Sequence, residues 1–232
     1  MRIEIIYLLT FILACAVSLC ATPIAIWGAT KIGLVDVPSG RKRHAKPTPL
    51  CGSLPLYAAF VLACFFAFSG VGLLPKLVLP GYFYELLWLS ALVIVLGMID
   101  DRWEASPLVK LAGQLAVACL VYSRGTQFNL AQFNMPGFVS FAATVFWIVG
   151  AMNAFNLIDG MDGLATGLAV IGAGGLAMFS IFEGRYQDAL IMLALAGACL
   201  GFLRYNFHPA RAFLGDAGSM LLGFILAWFA LH

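Results

Sequence analysis

Four short segments hold most of the side chains in this sequence that could do chemistry. The first is LGMIDDRWEASPLVK, where Asp100 and Asp101 stand side by side directly after an apolar run. Adjacent carboxylates repel each other and are costly near a membrane boundary; a divalent cation or a nearby ammonium would relieve them, and a solvated acidic loop is the alternative reading. Lys110 is the nearest candidate by sequence. The second segment, NAFNLIDGMDGLA, places Asn153, Asn156, Asp159 and Asp162 at strict three-residue spacing. On a helix such a ladder shares one side, and four oxygen-bearing side chains there suit a hard cation such as Mg²⁺. Gly160 and Gly163 loosen the backbone beside them.

The third segment is FLGDAGSMLLGF, in which Asp216 precedes an apolar run. Read alone, Asp216 or Ser219 could cap a helix and the glycines could let helices pack closely. The fourth, GLVDVPSGRKRHAKPTPLCGS, gathers Arg41, Lys42, Arg43, His44 and Lys46 ahead of Pro47 and Pro49. Such a run is a topology signal that attracts anionic headgroups, and it is also a phosphate-binding loop in waiting. Carboxylates that hold magnesium, set beside cations that hold phosphate, are the parts that phosphoryl transfer needs.

The elements that must position these groups are membrane helices. Of 232 residues, 62% are apolar and 10% charged, against about 45–50% and about 25% in a soluble domain. Mean hydropathy is +0.98. A net charge of +2 argues against nucleic-acid binding. The cysteines (Cys15, Cys20, Cys51, Cys64, Cys119, Cys199) form no C-x-x-C pair and read as small buried hydrophobes. Apolar runs predict spans at 5–30, 54–74, 82–99, 108–122, 138–152, 164–182 and 189–203, with an eighth from 218 to 232. The first run is too long for a cleavable signal peptide. The expected fold is therefore an all-α, polytopic bundle of about eight transmembrane helices, read as one membrane-embedded domain over residues 1–232.

Charge sorts the connecting segments into two sides. One side carries nine Lys and Arg residues and the other four, which places the first side in the cytoplasm and the N-terminus outside. Asp36, Asp100, Asp101, Glu104, Asp159, Asp162 and Asp216 fall on that same side. Carboxylates contribute little to the topology bias, so their gathering points to a site. A channel or transporter would carry polar groups near mid-span, and here they crowd one edge.

With these segments in hand, the sequence resembles the polyprenyl-phosphate N-acetylhexosamine-1-phosphate transferases, and most of all the bacterial undecaprenyl-phosphate GlcNAc-1-phosphate transferases. The resemblance rests on GLVDVPSGRKRH, GMIDDR, NAFNLIDGMDGLA and FLGDAGS and runs from the first span to the last. It implies transfer of a sugar 1-phosphate, GlcNAc-1-phosphate foremost, from a UDP-N-acetylhexosamine to undecaprenyl phosphate, releasing UMP. This would be a first membrane step in making a cell-envelope polysaccharide such as O-antigen. It implies a bacterial inner-membrane location with the site facing the cytoplasm, Mg²⁺ (or Mn²⁺ in its place) as cofactor, contact with membrane lipids, and room for a homodimer.

Carried over by motif, Asp100 and Asp101 match a catalytic aspartate pair, and Asp159 matches a further catalytic aspartate not kept in every branch. Asn156 and Asp216 match metal ligands. Lys110 matches a phosphate-contacting lysine and Asp162 a nucleotide contact. Lys46 lies near a functional lysine, and Asn153 completes the substrate-facing ladder. Two departures stand out: Ser53 replaces the second glycine of a usual pair, and a later His- and Arg-rich loop of the family has no counterpart. The second departure predicts a chain shortened at its C-terminal side, so a truncated or non-catalytic lipid-phosphate-binding or assembly protein is the rival expectation.

Overall fold

The computed structural model describes residues 2–37, 47–69, 78–129 and 136–232. Among them are eight helices: α1 (Arg2–Lys31), α2 (Ser53–Ser69), α3 (Gly81–Trp103), α4 (Pro107–Ser123), α5 (Gly137–Ile158), α6 (Leu164–Phe182), α7 (Tyr186–Asn206) and α8 (Gly215–Leu231). A two-residue antiparallel pair, β1 (Val35–Asp36) with β2 (Thr48–Pro49), is the other regular element. Five helices are long and apolar enough to span a membrane, and α2, α4 and α8 are shorter apolar helices of 17 residues. At 1.5 Å per residue those three are about 26 Å long, close to the hydrocarbon thickness. The protein is an all-α, polytopic membrane protein.

Helix ends follow local chemistry. Pro80 and Pro136 sit extended just before α3 and α5, where a missing N–H costs nothing. Ser106 caps α4, its hydroxyl accepting from the Val109 N–H at 3.4 Å, with Pro107 in the first turn. Gly163 opens α6 from the left-handed region at φ +74°.

The helices run closer to one another than their apolar runs alone would require. α7 and α8 are the most enclosed, with α7 packed on α1, α2 and α6, and α8 on α3, α5 and α6. Glycines make the crossings. A Cβ on Gly197 or Gly201, four residues apart, would collide with the α1 carbonyls of Phe11 and Cys15. One on Gly223 would lie 2.5 Å from the Ala151 carbonyl oxygen of α5. In lipid, where the hydrophobic effect does not drive helices together, such backbone approach supplies the packing.

Three expectations shift here. The third span runs on to Trp103, so Asp100 and Asp101 belong to the last turns of α3 and not to a loop after it. The fifth runs on to Ile158, which takes Asn153 and Asn156 into the helix but leaves Asp159 as its C-cap and Asp162 beyond it. Cys20 and Cys119 are exposed on the bundle's outside, and only Cys51, Cys64 and Cys199 are buried in it.

Candidate active site

Asp101 supplies what α8 lacks. The residue before α8, Leu214, offers no side-chain cap, yet the first amides of a helix need acceptors. Asp101 reaches across from α3, accepting from the Asp216 N–H at 2.7 Å and the Ala217 N–H at 3.2 Å. Its negative charge also suits the positive end of the helix. Gly215, at φ +71°, leaves room for this contact: a Cβ there would lie 2.7 Å from Asp101 Oδ2. Capping of this helix is thus done from another helix, and neither Asp216 nor Ser219 performs it.

Successive residues of a helix point about 100° apart, so Asp100 looks elsewhere than Asp101. It is buried and receives Lys110 Nζ at 2.7 Å. The same ammonium lies 3.0 Å from Asp216 Oδ2 and 3.1 Å from Asn156 Oδ1. The Asn156 amide donates to Asp216 Oδ1 and, at 3.1 Å, to Ser219 Oγ. One cation from α4 is therefore caged by oxygens from α3, α5 and α8, at the end of the bundle where the acidic segments meet.

Asp159 lies beside this cage, half-buried, and no side chain among the described residues pairs with its carboxylate. Burial, then the negative charges of Asp216, Asp101 and Asp162, push its carboxyl up to about 8. Because the folded-state value lies above the ordinary one near 4, the folded protein holds a proton that the unfolded chain releases. Stability therefore falls as pH rises between about 4 and about 8. Asp159→Asn is expected to raise the melting temperature at pH 8 in metal-free buffer, with the gain vanishing near pH 4; a scan of Tm against pH checks it.

Two predicted members stand apart. Asn153 donates to Gln114 Oε1 at 2.7 Å and to the Val149 carbonyl at 2.8 Å, and Gln114 also contacts Met220 Sδ at 3.2 Å. This buried clasp ties α4 to α5 beneath the cage. Asn153→Leu strands the Gln114 amide and is expected to cost about 1–3 kcal/mol while leaving substrate KM unchanged, which thermal unfolding and initial rates would show. Asp162 accepts from the Ala210 N–H at 3.1 Å and sits 2.9 Å from His208 Nδ1, so it joins the α5–α6 turn to the α7–α8 segment. The ladder spacing does not survive because the helix stops before Gly160 and Gly163.

Arg41, Lys42, Arg43, His44 and Lys46 lie outside the described residues. The exit of their loop is nevertheless stitched beside the cage. Phe213 N–H donates to the Pro49 carbonyl at 2.9 Å, and Cys51 and Gly52 N–H groups each donate to the Phe213 carbonyl at 3.1 Å. Gly52 is required there, since a Cβ would stand 2.6 Å from the Phe202 ring and 2.8 Å from Leu214 Cα. Ser53 in the next position simply opens α2 and is buried.

Among the described residues no three His, Cys, Asp or Glu side chains form a ready metal cage. Mg²⁺ does not need one, because it keeps several waters and takes one or two carboxylates plus substrate phosphate. Two carboxylates, Asp100 and Asp216, share the single Lys110 ammonium, with Asp101 on the α8 amides and Asp159 beside them, and the Asn156 and Asp216 oxygens already converge on a cation, Lys110 Nζ. The donor set is hard, anionic and under-neutralised, and it fits a divalent cation. Gln114, Ser219 and His208 were not foreseen as partners of these residues. Two left a trace in the sequence: Gln114 is the polar residue four places after Lys110 in an apolar run, and Ser219 closes the FLGDAGS segment three places after Asp216.

An Asp–Lys–Asn cage at one end of a bundle of apolar helices defines a class: a polytopic integral membrane protein with a cluster of charged and amide side chains gathered where its helices end. The family profile named glycosyl transferase family 4 matches residues 83–232, and the chain belongs to that family. It is 36% identical over 230 residues to a probable undecaprenyl-phosphate N-acetylglucosaminyl 1-phosphate transferase of Bacillus subtilis, covering 94% of this chain and 60% of the relative. It is 37% identical over 220 residues to decaprenyl-phosphate N-acetylglucosaminephosphotransferase of Mycobacterium tuberculosis, covering 86% and 53%. For the undecaprenyl-phosphate alpha-N-acetylglucosaminyl 1-phosphate transferase of Escherichia coli K12 the figures are 30% over 215 residues, 88% and 56%. The chain thus spans between half and three-fifths of the length of these relatives.

Proposed function

We propose that this protein transfers N-acetylhexosamine 1-phosphate, GlcNAc-1-phosphate foremost, from a UDP-sugar to undecaprenyl phosphate at the cytoplasmic face of a bacterial plasma membrane. The observation that carries the reading is the Lys110 ammonium held among Asp100, Asp216 and Asn156. The names of the relatives supply the substrate class. An apolar groove of about 490 Å³ between α5 and α8, lined by Phe146, Trp147, Phe155, Ile158 and Leu226, supports a polyprenyl acceptor. It climbs α5 to the turn that carries Asn156.

In this reading an oxygen of the lipid phosphate attacks the β-phosphorus of the UDP-sugar. A new P–O bond forms, the bond from that phosphorus to the bridging oxygen breaks, and UMP leaves. A phosphate monoester with its second pKa near 6 is already mostly dianionic at pH 7, so no strong base is required. Lys110 draws the acceptor phosphate in and offsets charge as it builds up. Asp100, engaged with Lys110, orients that ammonium. Asp101 holds the first turn of α8, and with it Asp216, in register. Asp159 is the remaining carboxylate open to a ligand, and Asp162 braces the turn that carries it. Mg²⁺, held by Asn156 and Asp216, would neutralise the donor diphosphate.

The test is transfer of radiolabelled phospho-GlcNAc from UDP-GlcNAc to undecaprenyl phosphate in membranes containing the protein, with Mg²⁺ or with EDTA. Labelled lipid that forms only with the metal is the expected result. Binding of undecaprenyl phosphate without any transfer would replace the reading by that of a lipid-phosphate-binding protein.

A further inference from the structure

We propose that the cytoplasmic end of α7 carries a separate site for an anionic glycerophospholipid. Residues Leu200, Leu203, Arg204 and Phe207 recur at the spacing of one helix face, and with His208 and Arg211 they line a cavity of about 500 Å³. Leu200 is 40% exposed and Phe207 65% exposed, so an apolar wall is left uncovered directly below two cations. Arg204 and Arg211 are exposed, and neither has a carboxylate partner among the described residues.

The pocket is held open by its own backbone. Arg211 N–H donates to the Tyr205 carbonyl at 2.7 Å, and the clasp of Asp162 with His208 and the Ala210 N–H pins the far side. With Nδ1 of His208 on Asp162, the ring's Nε2 has no partner among the described residues.

Arginine pairs meet phosphate oxygens well, in bidentate geometry that a point charge cannot copy. Basic pockets between helices on the cytoplasmic side are where anionic headgroups settle, and the negative inner leaflet concentrates such lipids. A soluble phosphate would use the cations alone. The apolar wall of Leu200, Leu203 and Phe207 favours a ligand with acyl chains. The Lys110 cage takes no part; the site shares with the transferase reading only Asp162, which pins its far wall.

The experiment is thermal unfolding of the purified protein in neutral detergent, titrated with short-chain phosphatidylglycerol, phosphatidylcholine, inorganic phosphate or UDP-GlcNAc. Phosphatidylglycerol is expected to raise the melting temperature saturably and phosphatidylcholine to leave it unchanged. In Arg204→Gln/Arg211→Gln the half-effect concentration should rise about thirtyfold. Arg124→Gln, at the other end of the bundle, should titrate as the wild type does. A wild type indifferent to phosphatidylglycerol, or equal titrations in wild type and double variant, overturns the site. So does an equal shift with inorganic phosphate, which marks a free-anion site, or displacement of phosphatidylglycerol by UDP-GlcNAc, which marks a nucleotide site.

Discussion

Lys110→Met is expected to abolish transfer, with turnover falling by about 10²–10³-fold or more, as when one preorganised donor is removed from a transition-state site. The ammonium is the hub of the cage, at 2.7 Å from Asp100, 3.0 Å from Asp216 and 3.1 Å from Asn156. Asp100 and Lys110 are only 8% and 15% exposed, so the charge left behind has little water to turn to. Breaking such a pair costs about 3–5 kcal/mol, and the lower end applies if Asp100 takes up a proton. Lys110→Arg is expected to recover little, because a planar fork cannot fill a cage built round a point charge. Initial rates at saturating UDP-GlcNAc and Mg²⁺, with melting temperatures of the same preparations, would separate lost chemistry from lost fold. Retention of wild-type kcat by Lys110→Met would remove the basis of the proposed mechanism.

The second large effect concerns no chemical group at all. At Gly97 a Cβ would overlap the Cα and N of Ala217 and lie 2.9 Å from its Cβ. This is where α3 meets the first turn of α8, one helical turn below Asp100 and Asp101. Gly97→Leu is expected to destabilise the protein by about 3 kcal/mol or more, the upper range for overpacking, since backbone has to yield. Pushing α8 outward also draws the Asp216 and Ala217 amides off Asp101, so activity should vanish even in the fraction that folds. Gly174 is the control. It lies mid-helix in α6 with nothing within 4 Å of a built Cβ, and Gly174→Leu should fold and unfold as the wild type does. Unfolding curves and detergent-solubilised yield of the two variants, compared side by side, make the measurement. Equal stability would show that the α3–α8 crossing does not set the geometry of the site.

The two variants fail for different reasons, and the difference reflects what can be read along a chain. Helices were legible because a span is a local property: an uncharged run of sufficient length has few other ways to satisfy its backbone in lipid. The 164–182 reading matches α6 at both ends, and the other predicted starts fall within three residues of the observed ones. That the acidic residues gather at one end of the bundle was legible for a related reason. Alternation of spans carries every second connection to the same face, whatever the packing.

Contacts between spans obey no such local rule. Asp100 and Asp101 read as a repelling pair in want of one shared cation, whereas the 100° step of α3 sends one to Lys110 and the other to the amides of α8. Three-residue spacing made Asn153, Asn156, Asp159 and Asp162 look like one ligand ladder. The helix ends at Ile158, and the four side chains go to Gln114, the cage, a half-buried place beside it and His208. Gly97 looks like any other glycine until α8 is laid against it. The sequence by itself determined that this is a polytopic helical membrane protein with carboxylates, amides and cations gathered at one face, because hydropathy and alternation act along the chain. Which oxygen meets which cation was decided by tertiary structure alone, because it depends on the rotation and close approach of helices that share no residues.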